Sequence, residues 1–244
     1  MSKNSWTIED ELYAPKRKVN NKGSREFNHI IGSMPSRKMS RHIPYESFWG
    51  ECLFYYLLEL DRLNVRYYAQ PVWVPYERLN RIFVKEKKVH VPDVLNFRQG
   101  FPAHLYQVKG GDIFVKQEPH LYEACVKYCR DRGWGYSVVH PKMLPEVVKR
   151  NILFIMHYKD PRPYFKTYVP EIMTKVRFFG NPTIDYLAKS FVAKADFRDV
   201  LPLIYHLIFL GELKVNLMQQ INQFSEVSFG DISGDLRPYF NLEE

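Results

Sequence analysis

Cysteine is scarce in this chain. Its three cysteines, Cys52, Cys125 and Cys129, cannot build a disulfide framework and fit a reducing compartment. Cys125 and Cys129 lie one helical turn apart, as half of a metal site would. No second Cys/His pair at finger-like spacing joins them, so two core thiols are expected. Long apolar runs are missing too. Residues 48–58 and 200–210 come closest to a membrane span, and neither reaches the roughly 20 residues a bilayer requires. The opening stretch, Met1 to Asp10, has no apolar core of signal-peptide type, so a cytoplasmic protein without a membrane partner is expected. There is no phosphate-cradling Walker loop, no nucleophile-elbow serine and no His-Glu-x-x-His helix, which argues against P-loop nucleotide hydrolysis, α/β-hydrolase chemistry and zincin proteolysis. Internal repeats and low-complexity tracts are also absent.

Carboxylates are the minority charge. Against 35 Lys and Arg stand 27 Asp and Glu, for a net charge of +8, which points to a polyanionic partner without naming it. The excess is concentrated: Lys16, Arg17, Lys18, Lys22, Arg25, Arg37, Lys38 and Arg41 crowd the first 45 residues, with few carboxylates after Glu11. This reads as a basic N-terminal arm over residues 1–30, either solvated and partly disordered or gripping phosphates. Lys16, Arg17, Lys18, Arg37, Lys38 and Arg41 are the candidate DNA contacts.

At 244 residues the chain has room for one large domain or two small ones. Residues 46–63 read as a helix with Ser47 as N-cap, apolar nearly all round and so buried on most sides. Val65–Val74 reads as a strand, followed by a hairpin that pairs Arg81–Val84 with Lys88–Val91. His90–Phe97 and Ala103–Val108 read as neighbouring strands. Helical spacing runs from Glu118 to Arg132, Tyr136–His140 is a short strand, and a further helix spans Pro145 to about Tyr158. The order implies an α/β sandwich with a mixed central sheet over residues 31–160. Lys159-Asp-Pro-Arg-Pro163 is the best boundary. Beyond it, helices are expected from Tyr164 to Phe179 (with Pro170 kinking or shortening it), from Asn181 to Val192, and from an Asp196 or Asp199 cap to Leu210. A two-stranded wing at Gly211–Leu217 and Glu226–Phe229 would complete a winged-helix-like domain over 161–244.

The chemistry-bearing stretch is His90-Val-Pro-Asp93 followed by Gln107-Val-Lys109, with Glu51 upstream. Asp93, set by rigid Pro92, is suited to ligating Mg²⁺, which takes oxygen donors and neutralises charge building on a phosphodiester. Mn²⁺ is expected to substitute. Gln107 and Lys109 are two apart on one strand, so a metal ligand and a cation share one face. Lys109 would orient the attacking water or stabilise developing charge. Val108 would pack into the core and could offer its carbonyl to the metal. Glu51, among Phe48, Trp49, Cys52, Leu53, Phe54 and Tyr55, needs a compensating partner if buried. A metal shared with Asp93 would be one; the alternatives are exposure to solvent or an arginine such as Arg41. His90 and His104 flank the motif.

These residues resemble the PD-(D/E)xK nuclease superfamily, a restriction-endonuclease-like fold with helix–strand–strand–strand–helix–strand order. The closer likeness is to TnsA, the endonuclease subunit of heteromeric bacterial transposases. It rests on Arg37-Lys-Met-Ser-Arg41, Glu51, Gln70-Pro-Val-Trp-Val-Pro75, Pro92-Asp93 and Gln107-Val-Lys109, and covers roughly residues 30–160. The resemblance implies a catalytic set of Glu51, Asp93, Gln107 and Lys109, and metal contacts from Glu51, Asp93, Gln107 and Val108. It also implies cleavage of the 5′ (non-transferred) strand at transposon ends. Implied partners are transposon-end DNA, a DDE-type TnsB-like transposase and an AAA+ TnsC-like regulator, the last contacting the C-terminal part. Two other readings stay open: a stand-alone restriction or repair endonuclease, and a non-catalytic DNA-binding adaptor.

Overall fold

Strands in which neighbouring residues are both buried must be covered on both faces, and Tyr67-Tyr68, Val94-Leu95 and Leu105-Tyr106 are all buried pairs. A computed structural model describes residues 5–17, 30–79, 84–109 and 111–236. These fall into two compact units, the first running through Tyr55 and resuming at Leu63–Lys142, the second made of Tyr56–Arg62 and the chain from Met143.

The buried pairs lie in the four-stranded mixed sheet of the first unit, formed by β3 (Asn64–Ala69), β6 (Val94–Arg98), β7 (His104–Val108) and β8 (Gly135–Val139) in the order β3-β6-β7-β8. β3/β6 and β6/β7 are antiparallel, while β7/β8 is parallel. A parallel pair requires a crossover, here supplied by α3 (Gly111–Gln117) and α4 (Pro119–Arg130). Leu121, Cys125 and Cys129 of α4 pack with Val72, Val74, Leu95 and Leu105. Cys125 and Cys129 are thus free core thiols, as expected, with burial pushing both thiols up. On the N-terminal side, Phe54 packs edge-on against Tyr106 with centroids 5.0 Å apart, and Tyr55 stacks on Tyr67 at 5.6 Å. Both belong to the start of α2 (Leu53–Leu60).

Several elements depart from expectation. The helix read over 46–63 begins as a wide π turn, Phe48–Cys52, closed by Cys52 N–H to the Ser47 carbonyl at 3.0 Å, and becomes α-helical only at Leu53. Ser47 does cap it, accepting from Gly50 N–H. The strand read over Val65–Val74 is two strands, because Gln70 takes a left-handed φ of 52° and breaks it. The second piece, β4 (Val74–Leu79), pairs with β5 (Lys85–His90); residues 81–83 of the expected hairpin lie outside the described residues. Pro92 likewise splits His90–Phe97 between β5 and β6.

The basic segment is not a free arm throughout. Thr7–Leu12 forms α1, and Asp10 receives a bidentate pair from Arg66 at 2.6 Å to each oxygen plus the Tyr68 hydroxyl at 2.9 Å. Tyr13 packs on Tyr68 and Phe97. Residues 18–29, including Lys18, Lys22 and Arg25, lie outside the described residues. β1 (Gly32–Ser36) and β2 (Arg41–Tyr45) form a hairpin whose turn is Arg37–Ser40.

The second unit contains α5 (Glu146–Met156), α6 (Phe165–Phe179), α7 (Ile184–Lys189), α8 (Phe197–Phe209), β9 (Leu213–Lys214), β10 (Ser228–Phe229) and α9 (Ser233–Leu236). Thr183 and Asp196 cap α7 and α8, and β9 pairs antiparallel with β10. Pro170 sits inside α6 without shortening it. The division falls before α5 rather than at Lys159–Pro163. Buried Asn151 of α5 explains this: its amide donates to the Leu217 and Gln219 carbonyls and accepts from Ile221 N–H, tying α5 to the C-terminal segment. Among the described residues no helix is long and apolar enough to cross a membrane.

Candidate active site

Asp93 is fixed before its side chain does anything. Its N–H donates to the Tyr106 carbonyl at 3.1 Å and its own carbonyl accepts from Gln70 N–H at 2.8 Å. Buried at 4% exposure, its carboxylate accepts from Val108 N–H at 2.7 Å and from the Gln107 amide, both at Oδ2. Oδ1 is turned instead toward the Arg17 guanidinium, 3.9 Å away. The two oxygens therefore have separate duties, one anchoring the carboxylate to β7 and the other facing cationic charge.

Glu51 arrives from the π turn. An extra residue in a helical turn re-aims a side chain, and Gly50 lets that turn approach β7: a Cβ there would lie 3.5 Å from Val108 Cγ1 and 3.0 Å from Ser47 Oγ. The solvent-facing alternative for Glu51 does not hold, since it is 6% exposed. Its Oε2 accepts from Glu46 N–H at 3.0 Å. The guanidinium acting on it is that of Arg17, not Arg41.

Burial, followed by the charge of Asp93, pushes the Glu51 carboxyl well above the usual range. Burial also raises Asp93, opposed by the Val108 N–H bond and by the charges of Arg17 and Lys109. Burial together with neighbouring negative charge favours a compensating cation beside these two acids. A further sign is Tyr55 Oη, fully buried and without a hydrogen-bond partner among the described residues, which senses both carboxylates.

Gln107 and Lys109 come to the same place. Gln107 is buried and bridges Asp93 to His90, whose Nε2 lies 2.7 Å from Gln107 Oε1. Burial lowers the His90 imidazole, which the Gln107 hydrogen bond opposes. Lys109 is exposed just past β7, its N–H bonded to the Val139 carbonyl and its Nζ 5.3 Å from the Phe114 ring centre. Its charge reaches both Asp93 and His90. Val108 is half-buried and serves Asp93 through its N–H. His104 stands apart from this set, stacked on Tyr106 and bonded to Ser137.

The six candidate DNA contacts do not act as one group. Arg17 enters the site, pairing with Glu46 at 2.9 Å. With its amide nitrogen toward the Arg17 carbonyl, Gln70 donates there at 3.0 Å and accepts from Arg17 Nε at 3.2 Å. Lys16 N–H donates to the Gln70 carbonyl at 2.9 Å. Arg37 and Lys38 lie in the β1–β2 turn, and Arg41 stands 6.0 Å from the Tyr68 ring. Lys18 lies outside the described residues. Reading the sequence missed Glu46 and the bracketing role of Gln70, and it placed Tyr55 only as an apolar neighbour of Glu51. Nothing local in the sequence announces them, because the contacts that place Gln70 come from distant segments.

A divalent cation fits this donor set: two raised carboxylates on separate elements, an amide, and an orphaned hydroxyl. Among the described residues there is no cluster of three or more His, Cys, Asp or Glu suited to a metal, so the carboxylates would need amide and main-chain oxygens beside them. Gln107 presents nitrogen to Asp93 as oriented; to ligate, it would turn over and donate to His90 instead, giving up its bond to Asp93, whose Oδ2 keeps the Val108 N–H. No protein-family model matches the chain, and no curated protein matches it in sequence.

Proposed function

We propose that the protein is a metal-dependent DNA endonuclease of the TnsA type, within the PD-(D/E)xK restriction-endonuclease-like superfamily. In this reading it cuts the 5′ strand at transposon ends as one subunit of a heteromeric transposase. The reading is carried by Glu51 and Asp93, which converge from separate elements with raised proton affinity beside Gln107 and Lys109. Buried acids with raised proton affinity are concentrated at functional sites, where burial and neighbouring charge tune them for a task. Glu51 and Asp93 would hold Mg²⁺, with Gln107 and the Val108 carbonyl completing its shell. When bound, the ion supplies charge neutralisation at the phosphate and leaving oxygen. Lys109, outside the buried shell, orients the attacking water and faces the phosphate. Val108 N–H holds Asp93 in register.

The C-terminal unit is read as a winged-helix-like partner-binding domain rather than a base reader. Lys189 of α7 pairs with Asp185 at 2.8 Å, and Lys194 with Glu171 at 2.8 Å. Phe178, Val192 and Phe224 are 82%, 83% and 69% exposed. Cations already paired, with large apolar groups exposed, favour a protein surface such as a TnsB-like transposase or TnsC-like ATPase over major-groove readout.

Asp93→Ala tests the assignment. In a reaction reconstituted with partner transposase and Mg²⁺, 5′-strand cleavage is lost while the complex still assembles on transposon ends. Normal cutting by the variant would refute the site. Efficient plasmid nicking by the chain alone would favour a free-standing nuclease, and absence of any divalent-ion binding would leave a DNA-binding adaptor.

A further inference from the structure

A second feature of the first unit has no part in the chemistry above. A cleft of about 580 Å³ lies between the end of α1, the Pro71–Trp73 segment and the C-terminal end of α4. Its volume falls in the range of small-ligand sites, roughly 300–1,000 Å³. Tyr13, Trp73, Tyr128 and Trp134 supply its aromatic surface, and Lys16 and Arg132 its charge. Among the described residues no carboxylate lines it.

The side chains are arranged as a cage. Trp134 meets Tyr13 at 6.0 Å and Tyr128 at 6.2 Å, both edge-on. Lys16 Nζ stands 5.4 Å from the centre of the Trp73 ring, and the Arg132 guanidinium lies 3.5 Å from that of Tyr128. Trp73 is 58% exposed, a large aromatic left in water although neighbouring Val72 and Val74 are buried. Neither Lys16 nor Arg132 is paired with a carboxylate among the described residues. The ligand that complements such a lining is planar, aromatic and negatively charged.

We infer that this cleft binds an unpaired nucleotide, its base stacked on Trp73 and its phosphate held by Lys16 and Arg132. A base inside a duplex has both faces stacked already, so only a single-stranded or extruded base can enter. The same backbone links cleft and acid pair. Lys16 N–H bonds the Gln70 carbonyl, Gln70 N–H bonds the Asp93 carbonyl, and Arg17, next to Lys16, faces Asp93. A strand presented to Asp93 and Lys109 thus has a stacking platform beside the scissile phosphate. That placement rests on the nuclease reading; the binding itself does not. The substrate class this adds is DNA locally unpaired next to the cut.

The test uses the full chain, a fluorescent thymidine oligonucleotide of eight residues, and a blunt-ended duplex of twelve base pairs, measured by anisotropy in EDTA. Trp73→Ala should weaken single-strand binding about tenfold or more and leave duplex binding within about twofold; Trp73→Phe should recover most of the loss. Because Trp73 is exposed, an unchanged unfolding temperature is expected and is checked in parallel. Equal affinity of Trp73→Ala and wild type for the single strand, or equal loss for both DNAs, would overturn the proposal. Asp93→Asn, run alongside, separates the two ideas. It should keep single-strand binding and lose the thermal response to Mn²⁺, and retention of that response would sink the nuclease reading while leaving the cleft intact.

Discussion

Metal-free protein should lose stability as pH rises from 6.5 to 8, and divalent ions should reverse the loss. Glu51 and Asp93 both have folded-state proton affinities raised by burial and, for Glu51, by the neighbouring charge. In the unfolded chain both ionise near pH 4. Above that pH the folded state therefore binds more protons than the unfolded state, and stability falls with increasing pH. For one proton retained by the pair, the slope is about 1.4 kcal/mol per pH unit, or about 2 kcal/mol across the window. The window must begin above 6.5. Half-buried His90 and His104 have lowered affinities, so between their folded values and about 6.5 they make the unfolded state the better proton binder and oppose the trend. Divalent binding requires both carboxylates ionised and releases the retained proton, so apparent affinity should climb up to about tenfold per pH unit. An ion at a hundred times its Kd stabilises by about 2.7 kcal/mol, which raises Tm by on the order of 5–10 °C in a chain of this size. Thermal unfolding at pH 6.5, 7.2 and 8.0, in EDTA and in MnCl₂, measures both effects, with Glu51→Gln as the control that flattens the slope. If stability in EDTA rises with pH, or if Glu51→Gln leaves the slope unchanged, the proton-holding pair is wrong.

Three other perturbations read separate parts of the site. Arg17→Ala removes the guanidinium facing both acids, so the pH slope should steepen and half-saturating Mn²⁺ should fall several-fold; unchanged Mn²⁺ titrations would show that Arg17 does not compete for that space. His90→Leu takes away the partner of Gln107, and metal affinity measured by calorimetry should drop about 10–100-fold, with His90→Asn retaining more of it. Asp10→Ala leaves Arg66 and Tyr68 without their shared acceptor. Since the Asp10 side chain is 32% exposed, the cost is about 1–2 kcal/mol in urea unfolding, and cleavage by trypsin within residues 5–17 should become faster.

What could be read from the chain depends on how local each cause is. Asp93 and Gln107 were legible because a rigid proline and the period-2 geometry of one strand dictate their placement, whereas Lys109 falls just past the end of β7. Helix caps were legible for the same reason: Ser47 and Asp196 bond N–H groups two or three residues ahead. Glu51 stood out as an acid in an apolar run, but its surroundings were not readable, since the π turn that aims it depends on Gly50 meeting Val108 from a distant strand. α3 was hidden by Gly110-Gly111, which looks like a break in sequence and proves to open a helix at Gly111.

Gln70 shows why the remainder was out of reach. Propensity favours a single strand through Val65–Val74, and a left-handed Gln is costly by about 1–3 kcal/mol. Four contacts offset that cost, and none is local: its N–H goes to the Asp93 carbonyl, its carbonyl to Lys16 N–H, and its amide to the main chain and the guanidinium of Arg17. The bend thereby joins the acid that would bind metal to the basic segment, and it turns Trp73 outward while Val72 and Val74 go in. Read as sequence, Lys16 and Arg17 are only positive charge near an end. Their different destinations, the aromatic cleft for one and the acid pair for the other, are set by the backbone of a glutamine more than fifty residues away.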